Sequence, residues 1–579
     1  MGSVGTVGTV GSVAASTLGF PILTVIVFLP LGGAILTALV PASDDGLARR
    51  VGLLAAVAEV GFVAYLLVAF KPVAGFQFVS QQPWIGSFGI AWKVGVDGIS
   101  LFLVAVSALL FLVAMAGPPL RGSARAFMTW MLLLEAACIG AFLSMDLFLF
   151  FVMFEVTLVP AYFLVAGWGG PRRNYAAMKF FIYTFAGSAF FFVALLSLVF
   201  LTAPAHHGHA TFDLITLTRL AGGLPHADQV LIFAGFAVGF AVKAPLVPFH
   251  SWLPDAYTEA STGGSMVLAG VMFALGGYGI LRLGVFILPR GASDLAPVLL
   301  TLAVVGITYG AVVTIMQRDL KRLVAYSAIV SVAFVVLGEF AFSAQGVAGG
   351  VLQMVNESLT IGALFYMVGV VAERRGALRF SELGGIQKSA PILAAVFLAV
   401  VLSAVGLPGL NGFVSEFLVL AGTFVTHRWW AVVATTAIIT GVIYFLWAYQ
   451  RVFHGPARAA NAAVREMSWG EIAAVAPLLA GIAFLGVYPA PLLDRLTPSV
   501  DHLLAHVQSA DPAAHVPRIS GGALSYSVPA DQNVDSGLQT PAGAGATAAP
   551  VGAGAPAGAG SGAASSASAV PAAPSGGTR

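Results

Sequence analysis

Charge is the scarcest thing in this sequence. Of 579 residues only 9% are Asp, Glu, Lys or Arg, while 59% are hydrophobic and mean hydropathy is +0.93. A soluble globular protein has about 25% charged residues, so a soluble fold is excluded. Cysteine is nearly absent as well. The single Cys138 rules out an intramolecular disulfide framework and any iron–sulfur cluster held by this chain's own cysteines. Lying in an apolar run, it reads as a small buried hydrophobe. The N-terminus lacks the basic n-region of a cleaved signal peptide, and residues 1–19 read as a Gly/Ser/Val/Thr-rich tail. No nucleotide, flavin, haem or metal motif is visible. The run GAGAPAGAG follows no strand and is no phosphate loop. His206, His207 and His209 in HHGH have no second ligand cluster, so they read as a solvated loop. A net charge of +2 points to no nucleic-acid partner.

What is present in quantity is the long hydrophobic run. A helix of about 20 apolar residues crosses a bilayer, and the chain holds about fourteen such stretches. Numbered in order as spans 1 to 14, they fall near 20–40, 51–70, 97–116, 124–143, 146–166, 178–202, 229–252, 262–287, 296–316, 321–343, 346–372, 391–425, 430–453 and 471–494. The expected fold is therefore an all-α polytopic membrane protein. Span 7 contains Pro245 and Pro248, each without an N–H. Span 12 is too long for one straight crossing and contains Gly406, Pro408, Gly409 and Gly412. Both are expected to be broken helices. Trp84, Trp92, Trp168, Trp252 and Trp447 fit interfacial belts.

Basic residues set the expected orientation. With the N-terminus outside, the inner loops collect Arg49, Arg50, Arg121, Arg125, Arg172, Arg173, Lys179, Arg318, Lys321, Arg322, Arg374, Arg375, Arg379, Lys388, Arg451, Arg458 and Arg465. The outer loops keep only Lys71, Lys93, Arg219, Arg290 and Arg428. Positive charge is retained inside, so both termini are expected outside. The Ala/Gly/Pro-rich segment 508–579 cannot bury enough apolar surface to order itself.

The few charges within spans carry the functional signal. An ionisable group at membrane depth costs roughly 2.5–3.5 kcal/mol on insertion scales, so it usually faces a polar interior. Glu135 lies in span 4, Glu155 in span 5, Lys243 in span 7, Glu339 in span 10, Glu357 in span 11 and Glu416 in span 12. Asp146 opens span 5, and Asp97 opens span 3 as a cap. Glu59 in span 2 reads as a lone carboxylate near a helix end, snorkelling or protonated. Acids and a lysine spread over non-adjacent helices suggest a proton relay. A Lys–Glu pair whose separation changes can take up and release a proton near neutral pH, and Glu155 and Lys243 are the candidate pair. His250, near the inner end of span 7, could aid proton uptake or hydrogen-bond a carbonyl freed by the break. Two interrupted spans, five apart, point to inverted repeats. The expected units are the tail 1–19, spans 1–3 in 20–120, repeats of five helices in 121–290 and 291–455, span 14 in 456–500, and the tail 508–579.

VGVDGISLFLV (94–104), DLFLFFVMFEVTLVPAYFLVAGWGG (146–170), YAAMKFFIYTFAGS (175–188), AVKAPLVPFHSWLPDAYTEA (241–260), LKRLVAYS (320–327), SELGGIQKSAP (381–391), GLPGLNGFVSEF (406–417) and YFLWAYQRVFHGP (444–456) resemble the M subunits of proton-pumping NADH–quinone oxidoreductase, respiratory complex I. The resemblance runs from about residue 20 to 495. It implies fourteen helices in two inverted five-helix repeats, with helices 7 and 12 broken. It implies a place in a bacterial plasma membrane, beside other antiporter-like membrane-arm subunits and lipid. NADH, FMN, iron–sulfur clusters and quinone would be handled by other subunits, with no cofactor in this chain. Glu155, Lys243 and Glu416 match the essential span-5, span-7 and span-12 groups of the resemblance. Ala274, Ser331 and Glu357 depart from it, standing where a lysine and two histidines are usual.

Two expectations follow. In one, Glu357 and Glu339 rebuild the path between Lys243 and Glu416. In the other, Ala274 interrupts it and the chain is a non-conducting structural subunit. Multisubunit Na⁺/H⁺ antiporters and membrane-bound hydrogenases share the fold and remain an alternative.

Overall fold

The computed structural model describes residues 20–117, 122–456, 461 and 463–511. The expected tail 1–19 lies outside them, as do Arg121, Arg458 and nearly all of 508–579. Among the described residues, 13 helices are long and apolar enough to cross a membrane. Two shorter apolar helices, Pro391–Ala404 and Asn411–Thr426, are the halves of span 12. The remaining spans are Ile22–Leu39, Asp45–Ala69, Gly98–Ala116, Ala124–Leu143, Leu147–Trp168, Arg173–Thr202, His226–Lys243, Thr262–Val285, Pro289–Ile315, Leu320–Glu339, Ala344–Arg375, Arg428–Phe453 and Trp469–Val487. Each break has a visible cause. Span 7 stops at Lys243 and resumes as a short 3₁₀ turn, Phe249–Trp252, and a helix, Leu253–Glu259. Span 12 stops at Ala404, and the Gly/Pro loop carries it to Asn411.

Spans 8 and 11 are wholly buried along their apolar windows and form the centre of the bundle. Span 8 contains two wide π-helical stretches, Leu268–Met272 and Ile280–Val285, on either side of Ala274. Peripheral spans show their apolar side chains outward, as with Leu54, Val68, Phe190 and Ile439. In a bilayer such a surface meets lipid.

The bundle is helical as expected, with one addition that the sequence reading did not anticipate and two expectations that need correction. Residues Gln77–Ile85 and Ile90–Val96 form an antiparallel hairpin, strands β1 and β2, beside the helices. The hairpin docks on the connection between spans 4 and 5: Met145 N donates to Lys93 O at 2.9 Å, and Ala91 N donates to Asp146 Oδ2 at 3.0 Å. Asp146 also caps span 5, accepting from Phe148 N and Leu149 N. Trp252 is no interfacial residue. It is 1% exposed, and its indole N–H donates to Val242 O at 3.0 Å, satisfying a carbonyl that the break frees. Glu59 neither snorkels nor stands near an end. It is 0% exposed in the middle of span 2.

Beyond span 14 the chain forms a further helix, Ala490–Ala510. Ser499 Oγ of this helix accepts from Gly98 N at 2.9 Å, at the start of span 3. Asp97 caps span 3 as expected, with Ser100 closing a capping box.

Candidate functional site

Lys243 is the last residue of the first half of span 7 and is 2% exposed. Its Nζ donates to Thr157 Oγ1 at 2.8 Å and lies 4.4 Å from the Phe154 ring centroid. Thr157 is the single residue between the two helical pieces of span 5. Glu155, two residues earlier, is half-buried and close enough for its charge to act on Lys243. The expected pair is therefore near but not in direct contact, with the Thr157 hydroxyl on the ammonium. A hydroxyl so placed can accept a proton on one side and donate one on the other. Just past Lys243, span 8 crosses backbone against backbone: a Cβ at Gly276 would come within 2.4 Å of Ala244 N.

Ala274 lies two residues before Gly276 on span 8 and is 2% exposed. A cavity of about 30 Å³, measured as space open to water centres, is lined by residues of spans 10, 11, 12 and 13. At roughly 10–15 Å³ for each water, it holds about two. Ser331, Glu357, Glu416 and Tyr444 line it together. Glu357 and Ser331 are two of the three positions that depart from the resemblance, and the Ser331 side chain lies close to the Glu357 carboxyl. Glu416 opens into the same cavity from the second half of span 12. Glu339 stands apart. It is 0% exposed, its oxygens have no hydrogen-bond partner, and Oε1 lies 3.4 Å from where a Cβ at Gly277 would sit. It thus touches span 8 about one turn beyond Ala274.

The break in span 12 is pinned by polar side chains that the sequence reading did not single out. Asn411 Nδ2 donates to Asn356 O at 3.1 Å and to Thr360 Oγ1 at 3.2 Å. Ser403 Oγ donates to Asn411 Oδ1 at 2.5 Å. Asn356 Nδ2 returns to Asn411 O at 2.7 Å and Ser415 Oγ at 2.9 Å. Gln353, Asn356 and Thr360 share one face of span 11, and Glu357 sits among them. The stretch QMVNESLT, polar inside an apolar span, was the available signal.

Other expected residues lie elsewhere. Glu135 is 0% exposed in span 4, within electrostatic reach of Glu59. His250 does not meet Lys243; its Nε2 is 3.3 Å from the Tyr309 hydroxyl and the two rings pack edge to face. Arg282 of span 8 was overlooked. It forms a buried ion pair with Asp97, both side chains 4% exposed, and its guanidinium lies 5.0 Å from the Phe76 ring. Among the described residues no three His, Cys, Asp or Glu side chains come together as metal ligands, and His206 Nδ1 is spent on His209 O at 3.0 Å.

Bundle, broken helices and interior acid–base groups define an antiporter-like membrane subunit. The family described as "NADH:quinone oxidoreductase/Mrp antiporter, TM" matches residues 144–440. The NADH-quinone oxidoreductase subunit M of Mycobacterium tuberculosis (strain CDC 1551 / Oshkosh) is 36% identical over 535 residues, covering 86% of this chain and 96% of that protein. Subunit M of Rhodobacter capsulatus is 38% identical over 504 residues, covering 83% and 96%. A chain of respiratory complex I from Thermus thermophilus with bound NADH superposes with a TM-score of 0.76 at 29% identity, covering 84% of this chain and 99% of that one. The chain belongs to the subunit M family of the NADH-quinone oxidoreductases.

Proposed function

We propose that this chain is a membrane-arm subunit that moves protons across a bacterial plasma membrane while quinone is reduced in other subunits. NADH, FMN, iron–sulfur clusters and quinone are assigned to those other subunits, and the chain's own neighbours are antiporter-like subunits and lipid. The distribution of Lys and Arg supports an orientation with the hairpin face outside and both termini on that side. Spans 4–8, within 121–290, and spans 9–13, within 291–455, are the two inverted repeats.

The observation that carries the reading is the shared cavity. Glu357 and Glu416 reach it from different spans, with Ser331 and Tyr444 beside them and room for about two waters. A carboxyl accepts a proton on one oxygen and donates from the other, as an imidazole does with its two nitrogens. Lys243, Thr157 and Glu155 form the first half of the path, and Glu357 to Glu416 the second. Glu339 stands against span 8 about one turn beyond the missing lysine position at Ala274. Glu135 and His250 lie on the flanks, His250 toward the basic face.

The test is proton pumping per electron in vesicles bearing the assembled complex. Glu357→Gln keeps shape but not proton exchange. It is expected to slow proton transfer through this chain by about 100-fold, the scale of one general acid–base group, and so to lower pumping per electron with quinone-site assembly intact. Unchanged pumping would reject the path through Glu357. Ala274 favours the second reading, a structural subunit that does not conduct. That reading predicts that Lys243→Ala leaves pumping per electron unchanged.

A further inference from the structure

Glu59 has no part in the path above, and the family resemblance gave it no role. Its surroundings are nevertheless specific. Spans 2 and 4 run in the same direction through the bundle and pack along one seam. At Gly52 they nearly touch: a Cβ there would lie 3.0 Å from Met128 Cβ. Glu59 follows Gly52, and Glu135 follows Met128, by the same interval of about two turns. In parallel helices that interval returns both side chains to the seam. Both glutamates are 0% exposed. None of their four carboxyl oxygens has a hydrogen-bond partner. Their charges act on one another.

The ionisable groups around this pair are few. Spans 1 and 3, which also pack on span 2, contain none. On span 2, Asp45, Arg49 and Arg50 lie at the far end, and Tyr65 is 41% exposed. Span 4 adds Arg125 in its first turn and Cys138 one turn past Glu135. Span 5 brings Glu155 and Tyr162, and span 8 brings Tyr278 and Arg282, with Tyr278 donating to Phe142 O and Arg282 held by Asp97. Cys138 feels the charges of both Glu135 and Lys243. Strand β2 also packs on span 4, and its Lys93 is ion-paired with Asp213.

Two adjacent carboxylates in a dry interior cannot both ionise, and such pairs titrate as one unit. With no other donor in reach, the only partner for an ionised member is the O–H of the other. We propose that Glu59 and Glu135 form one proton-sharing carboxyl pair, a second proton store that exchanges with Lys243. In the step proposed, the proton leaves a carboxyl O–H of the doubly protonated pair and arrives on neutral Lys243 Nζ. This leaves a singly negative pair facing an ammonium, and total charge is conserved. The ammonium stabilises the negative pair, so the store empties as Lys243 fills.

The proposal rests on the reading of Lys243 as a proton carrier, and the experiment separates the two. Infrared difference spectra of the assembled complex, turning over against resting, are recorded alongside pumping per electron. The expected result is one protonated-carboxyl band that disappears in E59Q, in E135Q and in Lys243→Ala, with pumping lowered severalfold in both glutamine variants. A purely structural role would leave the band out of the difference spectrum, since nothing there would change protonation. A band that survives removal of either glutamate, or native pumping in both glutamine variants while Lys243→Ala abolishes it, overturns the pair and spares the Lys243 path. Native pumping in Lys243→Ala overturns the Lys243 path itself. Should E59Q fail to assemble, Glu59→Met fills the same space without a polar group to bury and must show the same loss of band and pumping.

Discussion

Glu357, Ser331 and Glu416 present only oxygen atoms to their cavity, and that sets what the site needs. The two oxygens of a carboxyl are about as far apart as the two nitrogens of an imidazole, so a carboxyl can stand in for one in passing a proton. The cavity's room for about two waters extends its reach. The position of Glu416 depends on a glycine. Gly406 has φ +70, and a Cβ there would lie 2.7 Å from Glu416 Oε2. Gly406→Ala would cost about 1–2 kcal/mol in backbone strain and push the carboxyl aside. Pumping per electron is expected to fall severalfold in this variant while the complex still assembles, and native pumping would show that the exact seat of Glu416 does not matter. At this scale, the charged residues inside spans, Arg282 excepted, were legible because each is an outlier in an apolar run. Their meetings were not. Thr157 on Lys243, and Tyr444 beside Glu416, join positions far apart in sequence by packing that no local pattern encodes.

Among the elements, the broken spans 7 and 12 were legible because proline and clustered glycine forbid a continuous helix. The hairpin was not anticipated, although FQFVSQQPWIGSFGIAWKVGV alternates and turns at Gly86 and Gly89, because a search for apolar runs passes over it. Besides its hydrogen bonds to the connection between spans 4 and 5, it is anchored by an ion pair. Lys93 of β2 is ion-paired with Asp213 in the loop after span 6. Burial would push the Asp213 carboxyl up, but the Lys93 ammonium hydrogen-bonded to it, together with Thr216, holds it below the usual carboxylate value. A lowered folded-state pKa stabilises the fold above the unfolded value of about 3.9, and that contribution is lost as pH falls through the folded value. Protection of hairpin amides against hydrogen exchange should therefore persist at neutral pH and drop at pH below about 4. In Asp213→Asn it should already be weaker at neutral pH and should lack that acid step. An acid step retained in Asp213→Asn would place the anchor elsewhere.

For the molecule as a whole, the number of crossings could be read from the sequence, but which spans are central could not. In a bilayer the outer surface is as apolar as the core, so hydropathy cannot tell them apart. Small and polar residues can, and spans 8 and 11 are rich in both. The closure of the hairpin face was equally hidden. Arg282 of span 8 pairs with Asp97 at the head of span 3 and packs on Phe76 beside the hairpin, while Ser499 of the last helix holds Gly98. Four parts of the chain meet at this one buried pair. Removing either partner leaves a buried charge alone, at a cost of about 3–5 kcal/mol. Arg282→Met and Asp97→Asn are each expected to lower the thermal stability of the detergent-solubilised complex. The double variant should recover part of the loss, and single variants as stable as the native complex would remove the pair from its structural role.

The indole of Trp252 on Val242 O has a consequence for time as well as for shape. The freed carbonyl already has its partner, and the close approach of Gly276 to Ala244 leaves no space for the helix to re-form across the gap. The break in span 7 is therefore held from both sides. If Lys243 carries a proton as proposed, rotation of its four-carbon arm between hydroxyl and carboxyl would run at side-chain speed, far faster than the rearrangement of a helix.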